Sequence, residues 1–268
     1  MSDNKGQPIS NIFDQELEEA MKLRESGHYL DAAARLAQLR MKTSGKLALG
    51  QLSILEASCW RLAGDFQKAR TTLSNAARFY AGDRSVRLRI EHETARLERS
   101  EGDRLAALNR TKRILDEYKS LLETTDYLEV QEELKTEAGL LLSEMGRCEG
   151  AIPLLLASRR ADSDVLYSLG DCYFRTNCYR EAIDYLRKAL DLNLAPQLVP
   201  AAKYLLAFSY YKLGAFAQVI SVLEPVDIHS NSASNIPSKG VYEMLADSFL
   251  KLGMETEARQ YQRLVDSG

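Results

Sequence analysis

Histidine, cysteine, proline and tryptophan are all scarce in these 268 residues: three, four, six and one. Each shortage excludes something. The thiols are Cys59, Cys148, Cys172 and Cys178, and no two form a Cys-x-x-Cys pair. Zinc needs about four soft ligands at short spacing, and the scattered His28, His92 and His229 do not complete a set. No metal and no cofactor is expected. The cysteines read instead as small apolar fillers of a reducing compartment. Six Pro and 15 Gly exclude collagen-like and low-complexity chains. No apolar run approaches the length of a membrane helix. The opening MSDNKGQPISNIFDQ has neither the basic nor the apolar region of a secretory signal. The expected location is cytoplasmic, or another intracellular compartment, with no membrane partner.

Catalytic strings are missing too. There is no Gly-x-x-x-x-Gly-Lys, no Gly-x-Gly-x-x-Gly after a strand, no Gly-x-Ser-x-Gly and no His-Glu-x-x-His. Strand-like patterning is absent, which removes most nucleotide-binding folds. Glu91-His92-Glu93 looks reactive, but helix neighbours point in different directions. It reads as a solvated helix surface. No enzyme is expected.

What is present starts with a composition that folds: 45% hydrophobic and 27% charged. The net charge of −3 hides a segregation. Residues 22–113 hold 19 basic and 10 acidic residues, +9, and the rest of the chain is −12. Such a segment can dock an acidic partner or a nucleic acid. The plainer reading is solvated helix faces laced by i,i+4 pairs such as Arg87–Glu91 and Arg89–Glu93.

The strongest signal is self-similarity. Turn residues fall at Gly27, Gly64, Gly102, Gly146, Asn177, Gly214 and Gly253, spaced by 37, 38, 44, 31, 37 and 39. Five residues after each stands a small or β-branched residue: Ala32, Ala69, Ala107, Ala151, Ala182, Val219 and Ala258. Seven before each stands another small one: Ala20, Ala57, Ala95, Gly139, Gly170, Ala207 and Ala246. Two small residues flanking a residue able to take left-handed φ mark the close crossing of two antiparallel helices. Apolar residues at helical spacing accompany them, as in Leu166, Leu169, Gly170, Tyr173, then Ala182, Ile183, Leu186, Ala189.

This pattern resembles the tetratricopeptide repeat, a helix–turn–helix of 34 residues. Leu166-x-x-Leu169-Gly170-x-x-Tyr173 matches its first helix, and Ala182, Leu186 and Ala189 its second, with Pro196 near its terminal proline. Repeat three departs most: Glu98 stands in place of the tyrosine and Arg104 in place of the turn aromatic. Repeats are expected near 13–46, 50–83, 88–122, 127–160, 163–196, 200–226 and 239–266, with 1–11 as a tail and 227–240 as a loop. Glu123-Thr124-Thr125-Asp126 reads as a second break. The implied fold is all-α: fourteen helices in one solenoid, 12–268, coiled as a right-handed superhelix.

The resemblance also implies a function, a scaffold or adaptor holding a peptide or partner helix on a concave face. With the turn residue counted as 15, the resemblance implies that helix-A positions 2, 5, 9, 12 and 13 face inward. Repeat five places Asp164, Tyr167, Asp171, Phe174 and Arg175 there. Repeat six places Ala201, Tyr204, Phe208, Tyr211 and Lys212. Repeat seven places Gly240, Glu243, Asp247, Leu250 and Lys251. The expected floor is Tyr167, Tyr204, Phe208 and Tyr211, ringed by Asp171, Arg175, Lys212, Asp247 and Lys251. Aromatic anchors within polar rims concentrate binding energy. The same rings could equally pack between repeats. The same positions in repeats two and three give a basic stretch, Arg61, His92, Arg96 and Arg99. Some members clamp a chaperone's C-terminal carboxylates with Lys, Asn and Arg. Here Asp171 and Phe208 stand where that clamp needs Asn. The apolar Ala258, Tyr261, Leu264 and Val265 near the C-terminus suggest weak self-association there. A structural subunit of a larger assembly is the remaining alternative.

Overall fold

In a computed structural model of the chain, described for residues 9–79, 82–159, 162–223 and 238–267, seven helix pairs appear. They are α1 (Ile9–Glu25) with α2 (Tyr29–Lys42), α3 (Lys46–Leu62) with α4 (Phe66–Phe79), and α5 (Arg84–Ser100) with α6 (Arg104–Glu117). After a short α7 (Lys119–Leu122) and a 3-10 turn (Thr125–Tyr127) come α8 (Leu128–Glu144) with α9 (Cys148–Leu156) and α10 (Ser163–Arg175) with α11 (Tyr179–Asp191). The last pairs are α12 (Val199–Lys212) with α13 (Phe216–Leu223) and α14 (Ser238–Lys251) with α15 (Glu255–Ser267). No strand occurs among the described residues. The fold is an all-α solenoid of helix pairs.

The local physics is the same at every turn. All seven turn residues have positive φ, and Asn177 is the one that is not glycine, at φ 61°. In repeat five the Cys178 N–H donates to the Tyr173 carbonyl at 2.9 Å and the Asn177 N–H to Phe174 at 3.0 Å. This pair of bonds ends a helix only if the turn residue is left-handed. The equivalent pair closes the other six turns. Asp65, Asp83, Asp103 and Asp162 start helices by accepting backbone N–H groups three residues on. Asn193, also left-handed, follows the end of α11 and was not read from the sequence.

All fourteen small residues flanking the turns are buried. The tightest crossing is at Gly170. A Cβ there would sit 2.6 Å from Leu186 Cγ and 3.2 Å from its backbone nitrogen. The core lies between paired helices and between adjacent pairs. In one cluster Ala182, Leu186, Ala202 and Leu206 join α11 to α12, and in another Ala207, Val219, Val241 and Phe249 join α12 and α13 to α14.

The chain divides into two compact units, Met1–Leu128 and Glu129–Gly268. The division follows the longest turn spacing, 44, whose extra residues hold α7 and the 3-10 turn. Of the stretch read as a plain break, Thr125 and Asp126 lie in the 3-10 turn. α1 starts at Ile9, inside the expected tail, and residues 1–8 lie outside the described ones. Of the expected loop 227–240, the last three residues begin α14 and the rest lie outside the described residues.

Glu91, His92 and Glu93 are not a solvated surface. His92 and Glu93 are 6% and 4% exposed. Nor do Glu91 and Glu93 pair with Arg87 and Arg89. Glu91 accepts from Arg110 and Arg113, at 2.5 and 2.6 Å, and Glu93 pairs with Arg61. An arginine on a neighbouring helix offers a desolvated, charge-assisted bond, and an exposed i,i+4 partner does not.

Candidate partner-binding groove

α10, α12 and α14 are the first helices of repeats five to seven, all in the second unit. Phe208 is the hub of the expected floor. Its ring meets Phe174 edge-on at 5.4 Å between centroids and tilts against Tyr204 at 6.2 Å. The Lys212 ammonium lies 5.2 Å from its centre. That is within cation–π range, so an exposed cation and a half-buried ring act together. Tyr211 turns the other way. Its ring meets Phe216 at 5.9 Å, and its hydroxyl donates to Asp247 Oδ2 at 2.8 Å. Arg175 Nε donates to Asp171 Oδ2 at 2.7 Å, with side chains 56% and 15% exposed.

The ionisations follow this geometry. Burial, and then the Asp171 carboxylate, pushes the Tyr167 phenol up. Burial alone does so for Tyr204. For Tyr211 the bond to Asp247 comes first. Arg175 is held more firmly protonated by Asp171.

The structure therefore joins Phe174, Tyr204 and Lys212 around Phe208, joins Tyr211 to Asp247, and joins Arg175 to Asp171. Tyr167 packs on the Ile183–Leu206 cluster, and Lys251 stands exposed. Phe174 fell on an inward position in the sequence but was not counted in the floor. Its place on the helix face shared with Tyr167 and Asp171 was the available signal. The rings have two roles: Tyr204, Phe208 and Tyr211 also pack against the core between repeats six and seven.

The basic stretch is differently built. Arg61 Nε donates to Glu93 Oε1 at 2.7 Å, with side chains 14% and 5% exposed. Arg96 lies 3.9 Å from the same carboxylate. His92 is buried, and His92, Arg96 and Arg99 make further interactions of their own. A phosphate arriving here would meet Glu93 as well as the cations.

The Cys148 thiol is pushed up to about 12 by burial and by its hydrogen bond with Cys172, so the nucleophilic thiolate is scarce at neutral pH. No cluster of His, Cys, Asp or Glu able to hold a metal occurs among the described residues. None of their helices is long and apolar enough to cross a membrane.

Helix pairs, left-handed turns and small crossing residues together define the tetratricopeptide-repeat fold. Comparison with known proteins agrees. The family described as anaphase-promoting complex, cyclosome, subunit 3 matches residues 150–226. No curated protein matches the chain. Among solved structures, a Signal Transduction ATPase with Numerous Domains from Pyrococcus horikoshii, which carries a tetratricopeptide repeat sensor, is 13% identical with a TM-score of 0.68. That similarity covers 97% of this chain and 42% of that one. A repeat protein from Cytophaga hutchinsonii is 14% identical with a TM-score of 0.59, covering 93% of each chain. One from Parabacteroides merdae is 15% identical with a TM-score of 0.51, covering 95% of this chain and 92% of that one. At these identities the likeness is one of fold.

Proposed function

We propose that the chain is a non-enzymatic scaffold that holds an extended or helical segment of a partner protein along the inward helices of repeats five to seven. The observation that carries this is the cluster of Phe174, Tyr204 and Phe208 beneath the Lys212 ammonium. Half-buried rings pre-fixed by their neighbours lose little entropy on binding, and a cation at their edge gives direction. Arg175 and Lys251 complete a basic rim beside Asp171 and Asp247. A partner segment with apolar anchors and acidic flanks suits that rim. The partial match to a subunit of a large assembly is consistent with a role as an adaptor inside a complex. Nucleic-acid binding through residues 22–113 has weaker support, because Arg61, Arg70 and Arg110 face carboxylates.

The test is affinity capture from native extract with the chain and with a triple charge reversal, Arg175→Glu/Lys212→Glu/Lys251→Glu. All three side chains are exposed, so the helical circular dichroism should be unchanged. The expected result is a partner retained by the parent and lost by the variant. An identical captured set would remove the groove reading.

A further inference from the structure

Sharing Asp247 with this groove, a cleft of about 500 Å³ opens between α14 and α15. Its meaning comes from the repeat itself. Shifted back 39 positions, its lining falls on the surface of repeat six that α14 covers. Ala246, Leu250 and Ala258 stand where repeat six has Ala207, Tyr211 and Val219. The cleft is thus built as a seat for a helix, with its small-residue stripe kept. Its rim has changed chemistry. Glu243, Asp247 and Glu255 stand where repeat six has Tyr204, Phe208 and Phe216. One base, Arg259, answers Glu255 at 2.9 Å. Leu250 is 58% exposed.

We propose that this cleft binds an amphipathic helix of a partner protein, one with a narrow apolar stripe and Lys or Arg on its flanks. The stripe lies on Ala246, Leu250 and Ala258, and the flanking cations meet the three carboxylates. A second copy of this chain fits poorly, since cleft against cleft would set Glu243, Asp247 and Glu255 against themselves. Like charges across an interface suppress association.

The probe is a synthetic peptide that keeps the apolar stripe of α14, Val241, Met244, Leu245 and Phe249, with lysine at its other positions. A counterpart carries glutamate there. Fluorescence anisotropy with the full chain should show the lysine peptide bound at least about tenfold more tightly, roughly 1.4 kcal/mol. Leu250→Asp should abolish binding, and Glu243→Lys/Glu255→Lys should invert the preference. These side chains are exposed, so the variants keep the fold. Equal binding of both peptides, or undiminished binding by Leu250→Asp, overturns the proposal. So does a dimer in sedimentation that Leu250→Asp dissolves, which would seat a second copy there.

Discussion

Repeats three and five solve one packing problem with opposite chemistries. Four residues before the turn and eight after it, their two helices face each other. Repeat five fills that place with Tyr173 stacked on Tyr185, centroids 5.5 Å apart and planes 10° apart. Repeat seven does the same with Phe249 and Tyr261. Repeat three has Glu98 and Arg110, joined by bonds of 2.7 to 3.1 Å, with Glu91 and Arg113 extending the network. The difference extends to the two units. Arg40–Glu56, Arg61–Glu93 and Arg70–Glu101 cross between helices of the first unit. Thirteen aromatic residues lie beyond residue 128 and eight before it, and the ring pairs run through the second unit. The fold requires that the volume between paired helices be filled and its polar atoms satisfied. It does not dictate by which chemistry.

That equivalence can be broken most sharply at Arg110. Its removal leaves Glu98, 12% exposed, without its fork of donors. An unpaired, largely buried carboxylate costs about 3 kcal/mol, so Arg110→Ala should lower the urea midpoint markedly. The double change Glu98→Tyr/Arg110→Tyr imports the repeat-five solution and should recover most of the loss. A loss under about 1 kcal/mol in the single variant would class the pair with ordinary surface bridges.

The helix crossing gives the next effect. Repeat three has Ala95 and repeat five Gly170 at the same place. Gly170→Ala forces a methyl into Leu186, against backbone as well as side chain, and should cost about 2 kcal/mol. Ala95→Gly should cost about 1 kcal/mol, from helix propensity and a lost methyl. Equal costs at the two sites would mean that the crossing is no tighter in repeat five.

Much of this was legible because it is written in backbone geometry. Left-handed φ needs Gly or Asn, close crossings need small residues, and both recur in the sequence at fixed offsets. All seven turns and fourteen buried crossing residues were found that way. The partners of charged side chains were not legible. An i,i+4 spacing is visible in sequence, so Arg87–Glu91 was expected. Glu91 in fact meets Arg110, nineteen residues away on α6, because burial favours the neighbouring helix. The groove was half legible. Helical phase placed Tyr204, Phe208 and Tyr211 on one face, but that Phe174 holds Phe208 depends on how repeats stack. The division near residue 128 was foreshadowed only by one long spacing.

Alkaline titration gives the smallest and most selective contrast. Tyr167, Tyr204 and Tyr211 in the second unit have phenols pushed above the ordinary value of 10, the first two by burial and the third by its bond to Asp247. A raised folded value means that the protonated form stabilises the fold. That contribution is whole below 10 and is lost as pH climbs through the raised values. The first unit's counterpart is Arg110, whose protonation Glu98 reinforces, so its charge network outlasts the phenols. Near-ultraviolet absorbance should show tyrosines ionising late in the native chain, one fewer in Tyr211→Phe. Amide exchange followed across the same pH range should open repeats five to seven before repeats one to three. Simultaneous opening would mean that the two chemistries, though different in kind, are not different in what they make the units withstand.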